Sequence, residues 1–225
     1  RIAHLRGSLQ KARVQIEHVS GVGLAARGAA EQQGHLTVSH GLLGKQNVYE
    51  QSMQCPLILS GPGIPKGKSS NALTYVHDLY STVCEFADLE TPDGVDSKSL
   101  IRIMNEKVNS IRDSLFLPFQ DNQRSVRNDK WKLHVYPKIN HRLLFDLSTD
   151  PHETTDLATD PAHKADAKRM QTLMQSWLTR LGDPHPLSVP NPKPKEPDYN
   201  NSKRVLDVWQ PEWIRDKYFD GRSNP

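Results

Sequence analysis

Cysteine is scarce in this chain: Cys55 and Cys84 are its only two among 225 residues. Both sit in apolar settings, QCPLIL and TVCEF, and read as small hydrophobes rather than ligands or nucleophiles; they identify no redox compartment. Long apolar runs are also missing. Nowhere do eighteen apolar residues follow one another, and no apolar stretch near the N-terminus ends in a small-residue cleavage pattern, so neither a membrane span nor a signal peptide is visible. An excess of one charge is missing as well, since 29 basic and 26 acidic residues are interspersed and leave a net charge of +3. That balance argues against a nucleic-acid footprint and gives the pI of 8.8 little weight. Apolar residues make up only 36%, and the 16 prolines concentrate late in the chain. A sparse core with long irregular segments is expected.

What is present reads as an α/β chain in three parts: residues 1–110, 111–182 and 183–225. Imperfect helical spacing of Leu5, Leu9, Val14, Ile16 and Val19 predicts a helix over about 3–19. Gly21, Gly23 and Gly28 match neither the GxGxxG nor the GxxxxGK[ST] spacing, so no nucleotide loop is read there. PLILS at 56–60 predicts a buried strand of a mostly parallel sheet, closed by the turn GPGIPKGKSS. Asp78 reads as the N-cap of a helix whose apolar face is Leu79, Tyr80, Val83 and Ala87.

After TPDGVDSKS the pattern changes to short runs at 115–119, 124–127, 131–136 and 143–147, an antiparallel meander. In WKLHVY, Trp131, Leu133 and Val135 alternate with Lys132, His134 and Tyr136, which predicts one buried and one wetted face. A helix over 161–181 should cover the buried face. Asp160 caps it, Pro161 opens it, Gly182 ends it, and Met170, Leu173, Met174, Trp177, Leu178 and Leu181 form its stripe. The proline-rich 183–201 reads as an arm on the surface, and the more apolar tail, with Trp209 and Trp213, as a docked segment.

The chemistry-bearing stretch is Ser39 to Pro65, SHGLLGKQNVYEQSMQCPLILSGPGIP. Gly41 and Gly44 let the backbone bend around Lys45, a compact cation with three donors suited to a sulfuryl or phosphoryl oxygen. The stretch supplies a charge-stabilising group and no nucleophile. His35 and His40, as H-x4-H, lack a further ligand at zinc spacing. His77 beside Asp78 reads as a helix start rather than an acid–base dyad, and Lys66 and Lys68 as turn lysines.

HGLLGKQNVYEQSMQCPLILSGPGIPKG resembles the segment after the second metal motif of type I, formylglycine-dependent sulfatases of the alkaline phosphatase superfamily. HDLYSTVCEFADLETPDGVDSKSL, WKLHVYP and LFDLSTDPHETTDLA extend the resemblance over about 39–196. It implies the last part of an alkaline-phosphatase-like α/β sheet domain, plus a small four-stranded antiparallel sheet packed on a helix. It implies hydrolysis of sulfate esters on a sulfated small molecule or glycan, with Lys45 contacting sulfate and His40 either contacting the substrate or bonding within its loop. His134, Lys138 and His141 lie where the family's C-terminal subdomain nears the active-site mouth, although a wetted sheet face is the preferred reading for them.

The resemblance also implies what this chain lacks. Family members use an oxidised cysteine in a C-x-P-S-R context, whereas Cys55 is followed by PLI and Cys84 by EFA. They bind calcium through oxygen ligands that include an Asp-His-Gly motif, at whose positions this chain holds Gln32, Gln33 and Gly34. The pattern breaks off abruptly before Val38, which points to a sequence artefact there and to a fragment that is inactive alone and binds no calcium. Two other readings stand beside it: a non-catalytic module holding sulfated glycan, and a sister hydrolase of phosphate esters or phosphonates. The family is commonly exported; the chain carries no signal for its location or its oligomeric state.

Overall fold

The computed structural model describes the backbone of residues 11–15 and 23–25, together with residues 40, 47–196 and 213. Residues 1–192 form one compact unit and 193–225 another. In the first unit, β1 (Lys11–Gln15), β2 (Gly23–Ala25), β3 (Gln54–Ser60) and β4 (Ser69–Tyr75) make a sheet in the order β2-β3-β1-β4. Only β1 and β3 are parallel, Val14 standing opposite Leu57; β1–β4 and β2–β3 are antiparallel. The sheet is therefore mixed, not mostly parallel.

Strand β1 also replaces the middle of the helix expected over 3–19. Imperfect helical spacing is a weak preference, and it yields where strands on both sides offer hydrogen-bonding partners. The strand thus lies ahead of the glycine-lysine loop, in the stretch expected to be helical. Strand β4 begins inside the turn expected at 61–70, its first two residues Ser69 and Ser70 belonging to GPGIPKGKSS; its second half, Ala72 to Tyr75, is buried.

Helix α1 (Glu50–Met53) is a single turn before β3, and α2 (Asp78–Phe86) follows β4. Of the apolar face expected on α2, Leu79 packs against the core, but Tyr80 (51% exposed), Val83 (46%) and Ala87 point outward, while Asp78, Ser81 and Thr82 are buried. Nor does Asp78 cap its own helix; His77 holds the cap position. Its carboxylate instead accepts from the N–H of Tyr75 (2.7 Å) and of Lys98 (2.9 Å) and pairs with both terminal nitrogens of Arg112. A fully buried carboxylate must be paired, and that requirement sets which side of the helix turns inward. Thr82 extends the anchoring, donating to the Asp78 carbonyl and accepting from the Leu100 N–H. Leu57, Leu59 and Ala72 pack there against Leu100, Ile103 and Met104, the last two on the one-turn helix α3 (Ile101–Met104).

The second sheet is the expected meander: β5 (Leu115–Phe119), β6 (Gln123–Arg127), β7 (Trp131–Tyr136) and β8 (His141–Asp146), antiparallel and in chain order. Helix α4 (Lys164–Leu181) covers one face, entered through a 3-10 turn at Pro161–His163. Asp160 accepts from the Ala162 N–H at 2.9 Å, and Gly182 ends the helix at φ +60°, which glycine adopts without strain. Met170, Met174 and Leu178 recur every fourth residue and are buried against Phe116, Val126, Trp131, Leu133, Val135 and Leu144. Each such burial contributes roughly 1.5–3 kcal/mol. Leu181, expected on this stripe, is 44% exposed.

Met53, Leu73, Tyr75, Leu115 and Leu117 form a cluster joining the two sheets. The arm after α4 is held on the surface: Asp183 pairs with Arg124, and the Asn140 side chain exchanges two 2.8 Å bonds with the Val189 backbone. In the second unit 193–196 and Trp213 are described, so most of the expected docked tail lies outside the described residues. Among the described residues, no helix is long and apolar enough to cross a membrane.

Candidate functional site

The alternation of WKLHVY sends Lys132 and His134 to the face of β7 away from α4, and that face is not wetted. Both side chains are 0% exposed. They are covered by residues 47–50, immediately after the glycine-lysine loop, and by Glu153 beyond β8. Lys132 Nζ donates to Glu50 Oε1 at 3.0 Å and lies 2.8 Å from Glu153 Oε1. Arg127, on β6, donates to Glu50 Oε2 at 2.6 Å. Glu153 Oε2 accepts the Glu50 N–H at 2.5 Å, and the Gln123 side chain accepts the Val48 N–H at 3.2 Å. Two carboxylates thus face two cations, and the buried charge balances. Taking such groups from water costs several kcal/mol per ion, which only good pairing offsets.

The Tyr49 ring contacts both His40 and a member of this cluster: it stacks on His40, centroids 4.0 Å apart and planes 10° apart, and makes a T-shaped contact with His134 at 4.7 Å. Its phenol lies near that of Tyr136, and each influences the other's ionisation. Burial raises both phenol pKa values, so both tyrosines are neutral. Burial also lowers His134 to about 4, with Lys132 adding to the effect and Glu153 opposing it. His134 Nε2 lies 3.2 Å from Glu153 Oε1 without the alignment of a hydrogen bond. Burial alone would raise the Glu153 carboxyl, but the Lys132 charge and the His134 contact hold it below the usual carboxylate range.

His40 has φ +59°, and Glu153 has φ +57°. The left-handed region is costly for residues other than glycine, and such positions gather where a side chain must be held in an unusual direction. The buried Nε2 of His40 has no hydrogen-bond partner among the described residues. Lys45, Gln32, Gln33 and His35 lie outside the described residues.

The remaining sequence candidates are scattered. Lys68 pairs with Glu106 on the surface, and Lys138 with Asp121. His77 stacks on Tyr75 at 4.8 Å, and burial lowers its pKa. His141 stacks on Tyr136. The wetted-face expectation therefore fails for His134, and the half-exposed Lys138 lies in the 3-10 turn Pro137–Ile139 between β7 and β8 rather than on a sheet face. Sequence reading missed Tyr49, Glu50, Arg127 and Glu153; a lysine and a histidine alternating with core residues, with acids far along the chain, was the available signal. Calcium requires an oxygen-rich ligand set. Among the described residues no group of three or more His, Cys, Asp or Glu is placed to hold a metal, and the described donors do not fit that ion.

Residues 38–180 match the family "N-sulphoglucosamine sulphohydrolase, C-terminal". Human arylsulfatase K is 28% identical over 143 residues, covering 57% of this chain and 27% of that protein. The phosphonate monoester hydrolase SpPMH from Silicibacter pomeroyi superposes with a TM-score of 0.54 at 25% identity, covering 62% of this chain and 32% of its own. The structure of BT4656 in complex with its substrate D-glucosamine-2-N,6-O-disulfate matches with a TM-score of 0.61 at 21% identity, covering 66% and 33% respectively, and carries the fold alone. The chain spans about a third or less of the length of these relatives. With the family matched over more than half the length of the chain, this chain belongs to the sulfatase family of the alkaline phosphatase superfamily, as its C-terminal region.

Proposed function

We propose that this chain is the sulfate-contacting C-terminal portion of a sulfate-ester hydrolase, built from the last part of an alkaline-phosphatase-like α/β domain and an antiparallel-sheet subdomain. The observation that carries the reading is the HGLLGK loop inside the family match, with its His40 ring stacked on Tyr49 and its Nε2 unpartnered. Lys45 is assigned the role of a point charge that stabilises negative charge on the sulfuryl oxygens as the ester bond breaks. His40 is assigned a hydrogen bond to the same group. The substrate class is a sulfated small molecule or glycan; BT4656 was solved with a sulfated glucosamine.

Neither Cys55 nor Cys84 lies in a C-x-P-S-R context, and Gln32 and Gln33 stand at the family's Asp-His positions. Glutamine carries no charge and is a much poorer calcium ligand than a carboxylate. The expected outcome is that the purified chain does not turn over 4-nitrophenyl sulfate above a Lys45→Ala control. Turnover that Lys45→Ala abolishes would overturn the assignment of the nucleophile to residues outside this chain. A second reading, phosphonate or phosphate-ester hydrolysis, draws on the likeness to SpPMH, since a lysine serves either anion. Binding of inorganic phosphate in preference to sulfate would favour it.

A further inference from the structure

We infer that Tyr49 is a positioning residue for His40, held in place by the second sheet, so that the antiparallel meander acts as the back wall of the anion site. The inference rests on the reading of His40 as an anion-facing residue.

Tyr49 touches rings of both parts of the site: His40 stacks flat on it, while His134 of β7 makes a T-shaped contact at 4.7 Å and Phe145 of β8 a tilted one at 6.0 Å. A flat stack at 4.0 Å leaves the imidazole free to turn only by losing contact with the phenol, so fixing Tyr49 fixes the plane of His40. Tyr49 is held from two directions: its phenol lies near that of Tyr136 on β7, and the next residue, Glu50, is tied through backbone N–H and carboxylate to Glu153, Lys132 and Arg127.

Stability alone gives little reason for this design. A buried four-charge cluster is often no more stabilising than apolar side chains of the same volume; what it adds is a single permitted arrangement. That arrangement is specified within one residue of Tyr49, and the left-handed backbone of both His40 and Glu153 is maintained around it. Preorganised donors outperform mobile ones at an anion because they need no reorganisation when charge develops.

The test is proton NMR of the whole chain with isotope-labelled histidine, titrated with sodium sulfate, for wild type and the Tyr49→Phe and Tyr49→Leu variants. Stacking should place the His40 ring protons upfield and give cross-peaks to the Tyr49 ring in wild type. Tyr49→Phe should keep the upfield position. Tyr49→Leu should move it to that of a free histidine and weaken sulfate binding about tenfold, about 1.4 kcal/mol. His134 monitors folding: in a folded variant it still titrates far below an exposed histidine. Where Tyr49→Leu fails to fold, the wild-type cross-peaks decide, and their absence overturns the inference. A folded Tyr49→Leu with unmoved His40 resonances overturns positioning by Tyr49 while leaving the anion site standing. Wild-type stacking with no response to sulfate overturns the anion reading and, with it, the purpose assigned to the stack.

Discussion

Replacing Glu153 by alanine removes one of two carboxylates from a cluster in which two cations are buried. Lys132 then keeps Glu50 alone, the Glu50 N–H loses its acceptor, and the pocket is left with one excess positive charge. Breaking a buried pair on one side costs about 3–5 kcal/mol, because the surviving charge stays buried and uncompensated. The orphaned N–H falls within the same range rather than adding fully, since the groups share one network. For a unit of this size, 1 kcal/mol corresponds to about 2–4 °C, so the thermal midpoint should drop by roughly 6–20 °C. The double change Glu153→Met with Lys132→Met restores charge balance, leaving Glu50 with Arg127. Substituting an ion pair by apolar groups of similar volume is often neutral. Urea and thermal unfolding of wild type, both singles and the double should therefore show the double nearer to wild type than either single. Equal and additive losses, or a Glu153→Ala loss below about 1 kcal/mol, would refute the argument that charge compensation governs this face.

Acid should weaken the fold in a particular window. Unfolded, His134 binds a proton near pH 6.5; folded, it does so only near 4. Its contribution is intact above about pH 6.5 and is lost as pH falls towards 4, by about 3 kcal/mol in all, because the unfolded chain takes up the proton first. Glu153, held below its ordinary value, adds stability present above the usual carboxylate range and lost as pH falls through its lowered folded value. In His134→Leu the decline between pH 6.5 and 4 should flatten, as read from urea midpoints at each pH. Asp78→Asn should cost about 3–5 kcal/mol by leaving Arg112 buried without its partner, and Lys98, bonded there through its N–H, should exchange faster. Gly182→Ala should cost about 1 kcal/mol in thermal unfolding from backbone conformation alone, since nothing lies near a Cβ placed there.

Sequence reading was strongest where a period repeated and weakest where a charge was paired far away. The meander and α4 were legible because period two and spacings of three and four recur over several turns and carry their own start and stop residues. The α2 face was misread because Tyr80 and Val83 look like core, whereas the buried side is set by Arg112, 34 residues from Asp78. Lys132 and His134 looked wetted for the same reason: Glu50 lies 82 residues from Lys132. Lys45 was legible as a charge on a glycine turn, but Tyr49 was not, since stacking on His40 leaves no spacing to read. The exposed stripe on α2 and the mixed order of the first sheet likewise depend on partners that local pattern does not encode.

Calorimetric titration of the purified chain with sodium sulfate, wild type against Lys45→Ala, shows whether the HGLLGK loop carries a sulfate-contacting site. Saturable binding is expected in wild type and a loss of about tenfold or more in the variant, on the scale of one charge-assisted hydrogen bond. Equal affinity in both, or no binding in the correctly folded wild type, would contradict it.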